Sequence, residues 1–382
     1  MNSQQTRQAI DAYVNNHLDD FIADLSRLCA QPSVTGNQGG LSDCAALVAD
    51  ILTEHGFDAE LQPTDGQAVV YAQGNGASDK TLLFYLHYDV QPAEPLERWQ
   101  SPPFSLTRRD DVLVARGVVD DKGHTIARLA ALAALRHVHG QLPCQVKFVI
   151  EGEEESGSPS LPAYVSSHRE RLAADACIWE FGGVDLDDAP TLSLGMRGIC
   201  YVELRARTAE RDIHSGLGGS IMPNAAWRLV WALQTLKDRH DEIHIAGFYD
   251  GVRPASEYDM ELLASLPDEA ERMLSMYGLD HYLGSGFDGP EFRRQMVFEP
   301  TCTICGLTAG YQGSGTKTII PSEATAKVDF RLVPDQSPPE IVAKLRRHLD
   351  AEGFTDIEIV PHGSTRPART DPHHPFVQLT MA

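Results

Sequence analysis

Four short clusters of acidic and histidine residues carry the chemistry this chain can do: His87-Tyr88-Asp89, Asp120-Asp121, Glu153-Glu154-Glu155 and Glu180. Each follows an apolar run, in turn Thr81–Leu86, Val112–Val114, Val146–Ile150 and Ala176–Trp179. Open α/β sheets collect their chemistry at the carboxyl ends of strands, so these runs predict four strand ends meeting at one site. Carboxylates crowded together repel one another unless cations hold them. The economical chemistry is hydrolysis at a two-metal centre.

Spacing within the clusters suggests separate tasks. Residues two apart on a strand face the same way, so His87 and Asp89 can address one site together. The imidazole is a neutral metal ligand, and the carboxylate can accept its second N–H and fix the tautomer. Asp120-Asp121 lies between Gly117 and Gly123 just before a helical pattern. One carboxylate there can bridge two cations, or simply cap the helix. In Glu151-Gly152-Glu153-Glu154-Glu155-Ser156-Gly157-Ser158, neighbouring carboxylates can divide the labour, one binding metal and the next taking a proton from water. A solvated acidic loop has the same composition, but here five residues suited to a buried strand precede it directly. Glu180 adds a further carboxylate.

The elements that must position these groups follow from hydrophobic periodicity. Ile10, Val14, Leu18, Phe21, Ile22, Leu25 and Leu28 recur at helical spacing and predict an amphipathic first helix. A second is expected from Asp43 to Glu54, stopping at Gly56. Strand, loop and helix then alternate to about residue 194, with an alanine- and leucine-rich helix running from His124 through Leu135, which reads as α/β. Beyond Leu194 the pattern is a strand at Ile199–Arg207, a helix at Asn224–Leu236, a strand at Ala324–Leu332, a helix at Pro339–Leu349 and a strand at Ile357–Val360. That describes a second, smaller α+β domain. Residues 240–300 read as a polar, irregular surface insertion.

Composition bounds these readings. A chain of 382 residues favours two domains, and 42% apolar with 23% charged residues is ordinary for a globular protein. The net charge of −22, with no basic stripe, argues against nucleic acid and anionic membranes as partners. No apolar run approaches a membrane span and the amino terminus has no secretory character, so a cytoplasmic protein is expected. Seven scattered cysteines suit reduced thiols, and Cys302-x-x-Cys305 lacks the second pair that a structural zinc needs.

The motifs His87-Tyr88-Asp89, Gly117-Val118-Val119-Asp120-Asp121-Lys122-Gly123 and Glu151 to Ser158 resemble those of the M20 metallopeptidases, in particular the cytosolic non-specific dipeptidase and carnosinase group. The resemblance implies an α/β catalytic domain, its sheet mixed but mostly parallel and flanked by helices, with an inserted α+β lid and dimerisation domain. It places the catalytic part at 1–194, the lid at 195–365 and the start of a return to the catalytic domain at 366–382. It implies two divalent ions, Zn2+ or Mn2+. His87 and Glu180 would hold the first, Glu155 the second, and Asp120 would bridge them, joined to Asp121 by a cis peptide. Glu154 would be the general base for the water between the metals, and Asp89 would orient His87. His214 would reach the site of the other subunit of a homodimer and polarise the scissile carbonyl. Thr318 and Arg331 would bind the free carboxylate of a small peptide.

The activity so implied is dipeptide hydrolysis, with deacylation of N-acyl amino acids or succinyl-diaminopimelate as the alternative. The family pattern also has a last metal-binding histidine near its carboxyl terminus. Here the chain stops at Ala382, shortly after the return begins. His362, His373 and His374 are the candidate replacements, each too early to match. A truncated, catalytically dead, dimeric metal-binding protein is therefore a further expectation.

Overall fold

The hydrophobic runs fold into two compact units, Met1–Thr191 and Leu192–Ala382, in a computed structural model that describes residues 3–36, 38–180, 182–185, 188–283 and 289–382.

In the first unit the strands β1 (Asp58–Gln62), β2 (Val69–Gly74), β3 (Thr81–His87), β4 (Gln145–Glu151) and β5 (Ala176–Ile178) form one mixed sheet of order β1-β2-β4-β3-β5. The β1–β2 and β2–β4 pairs are antiparallel, whereas β3 runs parallel to both β4 and β5. The three parallel strands therefore end side by side, with His87 opposite Glu151 in the register. Side chains alternate across the sheet as strand geometry requires. Val70 and Ala72 join one buried cluster with Phe148, whereas Val69 and Tyr71 join another with Tyr85 and Tyr164.

The helices α1 (Ser3–Asn16), α2 (Leu18–Ala30), α3 (Gln38–Glu54) and α4 (Lys122–His139) supply the larger cluster. The amphipathic run expected as one helix is broken at His17, whose ring nitrogen Nδ1 bonds the Tyr13 carbonyl at 2.8 Å while its backbone leaves helical geometry. The second predicted helix begins earlier than Asp43, at Gln38, and Gly56 beyond its end takes a positive φ of 81°.

One of the four expected strand ends is not in this sheet. Val112–Val114 pairs with Thr107–Arg109 in a separate hairpin, and Asp120-Asp121 reaches the site from the amino-terminal end of α4. Short apolar triplets fit a hairpin and a sheet strand equally well, and periodicity cannot separate them.

In the second unit β6 (Gly198–Arg207), β7 (Thr303–Ala309), β8 (Glu323–Leu332) and β9 (Glu358–Thr365) form an antiparallel sheet of order β7-β8-β6-β9. Cys200, Val202, Leu204 and Ala206 on β6, with Ala326, Val328 and Phe330 on β8, pack against α5 (Ala225–Leu236) and α9 (Pro338–Ala351). Residues 240–300 differ from expectation, since they contain α6 (Glu257–Ala264), α7 (Ala270–Tyr277) and α8 (Gly289–Phe298). A capping box at Ser256 and Asp259 starts α6, a signal that helices this short hide from a periodicity count. Segment 366–382 packs inside this unit. Ala368–Arg369 pairs with Gly195–Met196, Arg369 pairs with Asp259, and His373 stacks on Tyr258.

Phe148, fully buried at the centre of the first unit, packs its ring 5.2 Å from both Phe57 and Phe84. Phe148→Ala is expected to cost about 3–5 kcal/mol, read as a lower urea midpoint at unchanged slope; a loss below about 1 kcal/mol would contradict this packing.

Candidate active site

The site is built outward from His87, the last residue of β3, whose side chain is almost fully buried. Its Nδ1 faces Asp89, 3.1 Å from the backbone carbonyl and 3.3 Å from Oδ1. Nε2 faces three carboxylates: Asp120 Oδ1 at 2.8 Å, Glu180 Oε2 at 3.8 Å and Glu154 Oε2 at 4.0 Å. Three carboxylates from separate stretches of sequence thus converge on one ring nitrogen of His87.

Asp89 does more than orient the imidazole. Its Oδ1 accepts the Glu154 N–H at 3.2 Å and its Oδ2 accepts the Glu155 N–H at 3.0 Å, so one buried carboxylate fixes both the ring and the acidic turn after β4. Gly152 lets that turn pass over Tyr88, because a Cβ there would lie 2.3 Å from the tyrosine ring. The acidic run then separates by task. Glu151 is buried and accepts hydrogen bonds from Tyr85 (2.5 Å) and Ser158 (2.7 Å). Glu153 accepts the N–H groups of Gln67 and Ser160. The Glu154 carboxylate has no hydrogen-bond partner among the described residues, and burial together with Glu155, Asp89 and Asp120 pushes its pKa up against the pull of His87. That suits a group waiting to take a proton.

The Asp120–Asp121 peptide is cis. The turn leading into it starts at Gly117, where φ is +80° and a Cβ would lie 2.8 Å from Val90. Asp121 is buried with both oxygens engaged, Oδ2 by the His87 backbone N–H at 3.1 Å and Oδ1 by His124 at 2.6 Å. Ligand atoms of His87, Asp121 and Glu180 lie within 4.8 Å of one another, but both Asp121 oxygens are already engaged, whereas Asp120 is exposed and meets His87 Nε2 through Oδ1. Lys122 turns inward from the same bend and donates to the carbonyls of Leu28 and Gln31 at 2.9 and 2.8 Å.

Glu180 carries the observation that matters most for a metal. It is buried, and its Oε2 has no hydrogen-bond partner among the described residues while facing His87 Nε2. Burial raises its pKa to about 8. For His87 burial alone would favour the neutral ring, but hydrogen bonds to Asp120 and Asp89 and the charges of Asp121 and Glu180 push its pKa up to about 11. An orphaned buried carboxylate oxygen beside an imidazole nitrogen and a second carboxylate is the donor set of a divalent cation, and the residues present fit one.

The sequence reading missed two residues that hold this set. Arg128, seven residues beyond Asp121 on α4, donates to the carbonyls of Trp179 and Glu180 and so fixes the end of β5. The i, i+7 helical spacing was the available signal. Gln91 continues the alternation His87, Asp89 and bonds Glu155.

In the second unit, His214 and Thr318 are brought together, Nε2 to Oγ1 at 3.2 Å. Arg331 is exposed on β8, with its Nε 3.4 Å from Asp329, and no described hydrogen bond joins it to either. His362 lies 3.7 Å from Glu203, and His374 accepts the Phe376 N–H.

The profile of Peptidase family M20/M25/M40 matches residues 83–382. The chain belongs to this family. It is 30% identical over 367 residues to the Beta-Ala-His dipeptidase of Mus musculus, covering 89% of this chain and 72% of that one. Among solved structures, an M20 family metallo-carboxypeptidase from Sulfolobus solfataricus superposes with a TM-score of 0.86 at 35% identity, covering 94% and 81% of the two chains. Human carnosine dipeptidase 1 gives 0.74 at 26% identity, covering 96% and 81%. This M20 chain is thus a metal-dependent peptidase whose family works through divalent ions. Among its described residues no helix is long and apolar enough to cross a membrane.

The buried protons on this site compete with a cation. The raised imidazole pKa makes its contribution to the stability of the metal-free fold full below about 6.5 and lost as pH climbs towards about 11. Buried Glu180, kept neutral to about 8, also opposes the fold as pH rises. Cation binding at pH 7 should therefore release protons and tighten from pH 6 to 8. Calorimetry in two buffers of different ionisation heat checks this; an identical heat in both would contradict it.

Proposed function

We propose that this chain is a dipeptidase, an exopeptidase that cleaves the bond next to a free C-terminal carboxylate. The observation that carries the reading is the Glu154 carboxylate, without a hydrogen bond among the described residues, set 4.0 Å from His87 Nε2 and near the orphaned oxygen of Glu180. The relatives named as dipeptidase and carboxypeptidase support the choice of substrate.

In this reading His87, Asp120, Glu155 and Glu180 would hold two divalent ions, Zn2+ or Mn2+, His87 and Glu180 serving one, Glu155 the other and Asp120 shared between them. Bound ions would polarise the scissile carbonyl and make a water acidic enough to attack near neutral pH. Glu154 takes that water's proton and returns it to the leaving amine, its raised pKa matching both halves of the task. Asp89 keeps the His87 ring and the Glu154 backbone in register. His214 of the partner subunit donates to the developing oxyanion, and Thr318 and Arg331 receive the substrate carboxylate, for which an arginine fork is suited.

The test is hydrolysis of unblocked dipeptides against N-acyl amino acids, with Zn2+ or Mn2+ added. Dipeptides are expected to turn over and N-acyl amino acids poorly, and Glu154→Ala should lower kcat by about 10²–10⁴-fold while metal stays bound. Preference for N-acyl amino acids would make the chain a deacylase. No turnover with excess metal would make it an inactive metal-binding protein.

A homodimer formed through the second unit is part of the same reading. Trp227 and Trp231 stand 58% and 52% exposed on α5 with ring centroids 5.9 Å apart, a large apolar surface to leave in water. Replacing both by glutamate is expected to convert a dimer to a monomer in light scattering without unfolding it; a monomeric parent would contradict the dimer. Seven free cysteines suit a reducing compartment, and we place the protein in the cytoplasm.

A further inference from the structure

The alternation that puts His87 and Asp89 on one side of the chain continues past the end of β3 to Gln91. The extended path is kept there by Val90, whose N–H donates to the Ser33 carbonyl at 3.0 Å and whose carbonyl accepts the Thr35 N–H at 3.0 Å. Gln91 Nε2 donates twice to one residue, to the Glu155 backbone carbonyl at 3.2 Å and to its Oε2 at 2.9 Å. With the Asp89 bond to its N–H, Glu155 is gripped at three atoms by two residues of the segment that carries His87.

We infer that Gln91 is a positioning residue that fixes the Glu155 carboxylate for the second cation. This rests on the reading of Glu155 as a ligand. A glutamate on a short surface turn samples several rotamers, and ordering it costs binding free energy unless the fold has already done so. The backbone and side-chain bonds from one amide restrict both the turn and the carboxylate. The donor is also uncharged. A lysine or arginine in that place would neutralise Glu155 and compete with a cation, whereas an amide holds one oxygen and leaves the negative charge for the metal. Ligating carboxylates held this way typically lose about 10–100-fold in metal affinity when the outer partner is removed.

The experiment titrates the full chain with Zn2+ against a competing chelator, comparing parent, Glu155→Ala, Gln91→Ala and Gln91→Met, the last keeping length without a donor. Expected is loss of the weaker of two binding steps in Glu155→Ala, and a 10–100-fold weakening of that same step in both Gln91 variants. The thermal midpoint of the metal-free Gln91 variants should match the parent, and kcat should recover at saturating Zn2+. If Glu155→Ala removes the step but the Gln91 variants bind as the parent does, or only Gln91→Ala weakens it, the inference fails and Glu155 remains a ligand. If both binding steps weaken together with a lower metal-free midpoint, Gln91 is structural and the inference fails. If Glu155→Ala leaves every step intact, the assignment of Glu155 fails and takes the inference with it.

Discussion

The burial of four carboxyl groups in the first unit, Asp89, Asp121, Glu151 and Glu180, is the constraint on which the rest of the site depends. Charge in a protein interior must be paired or hydrogen-bonded, or it is given up by protonation. Against these four, the buried groups able to carry positive charge among the described residues of this unit are His87 and Lys122. Asp89 is met by two backbone N–H groups and the imidazole, Asp121 by a backbone N–H and His124, and Glu151 by Tyr85 and Ser158. Of the four, Glu180 alone has a solvent-inaccessible oxygen that the described residues leave unmet. The protein satisfies three buried acids internally and leaves the fourth facing the nitrogen of His87, where an added cation would balance it.

The backbone around the site is held by the same economy. Lys122 follows the two aspartates, yet no described carboxylate lies within ion-pair reach of its ammonium. It is met instead by the carbonyls of Leu28, in the last turn of α2, and Gln31 just beyond, where a helix dipole favours positive charge. The following residues, Ser33 to Thr35, bond Tyr88 and Val90. The amino-terminal helices thus brace the Asp120-Asp121 bend from one side and the end of β3 from the other.

Much of this was legible in the sequence, and what was not has a physical cause. The continuous apolar runs of β3 and β4 and the alternating runs of β6 and β8 were long enough to read as strands, and His87-x-Asp89 declared its shared face by spacing alone. The hairpin origin of Val112–Val114 was hidden because three apolar residues carry no period. Residues 240–300 looked irregular because α6, α7 and α8 are only eight to ten residues long, too short for a period to stand out, and α6 is set off by its capping box. Within Glu151 to Glu155, composition could not say which acid does what. That depends on hydrogen-bond donors from Tyr85, Gln67 and Gln91, far away in sequence.

Proton and cation are alternative guests of one arrangement. The carboxylates that surround His87 Nε2 raise its pKa because they favour positive charge at that point, and the same field favours a divalent ion there more strongly still. Glu180 responds the other way, keeping its proton because it is buried without a partner. A cation held by His87 and Glu180 would answer both at once, taking the place of the imidazole proton and supplying the charge that the Glu180 carboxylate lacks. Glu154 stands outside that exchange. Partly exposed and without a side-chain hydrogen bond among the described residues, it would stay free to move a proton once the neighbouring acids were committed to structure or to metal.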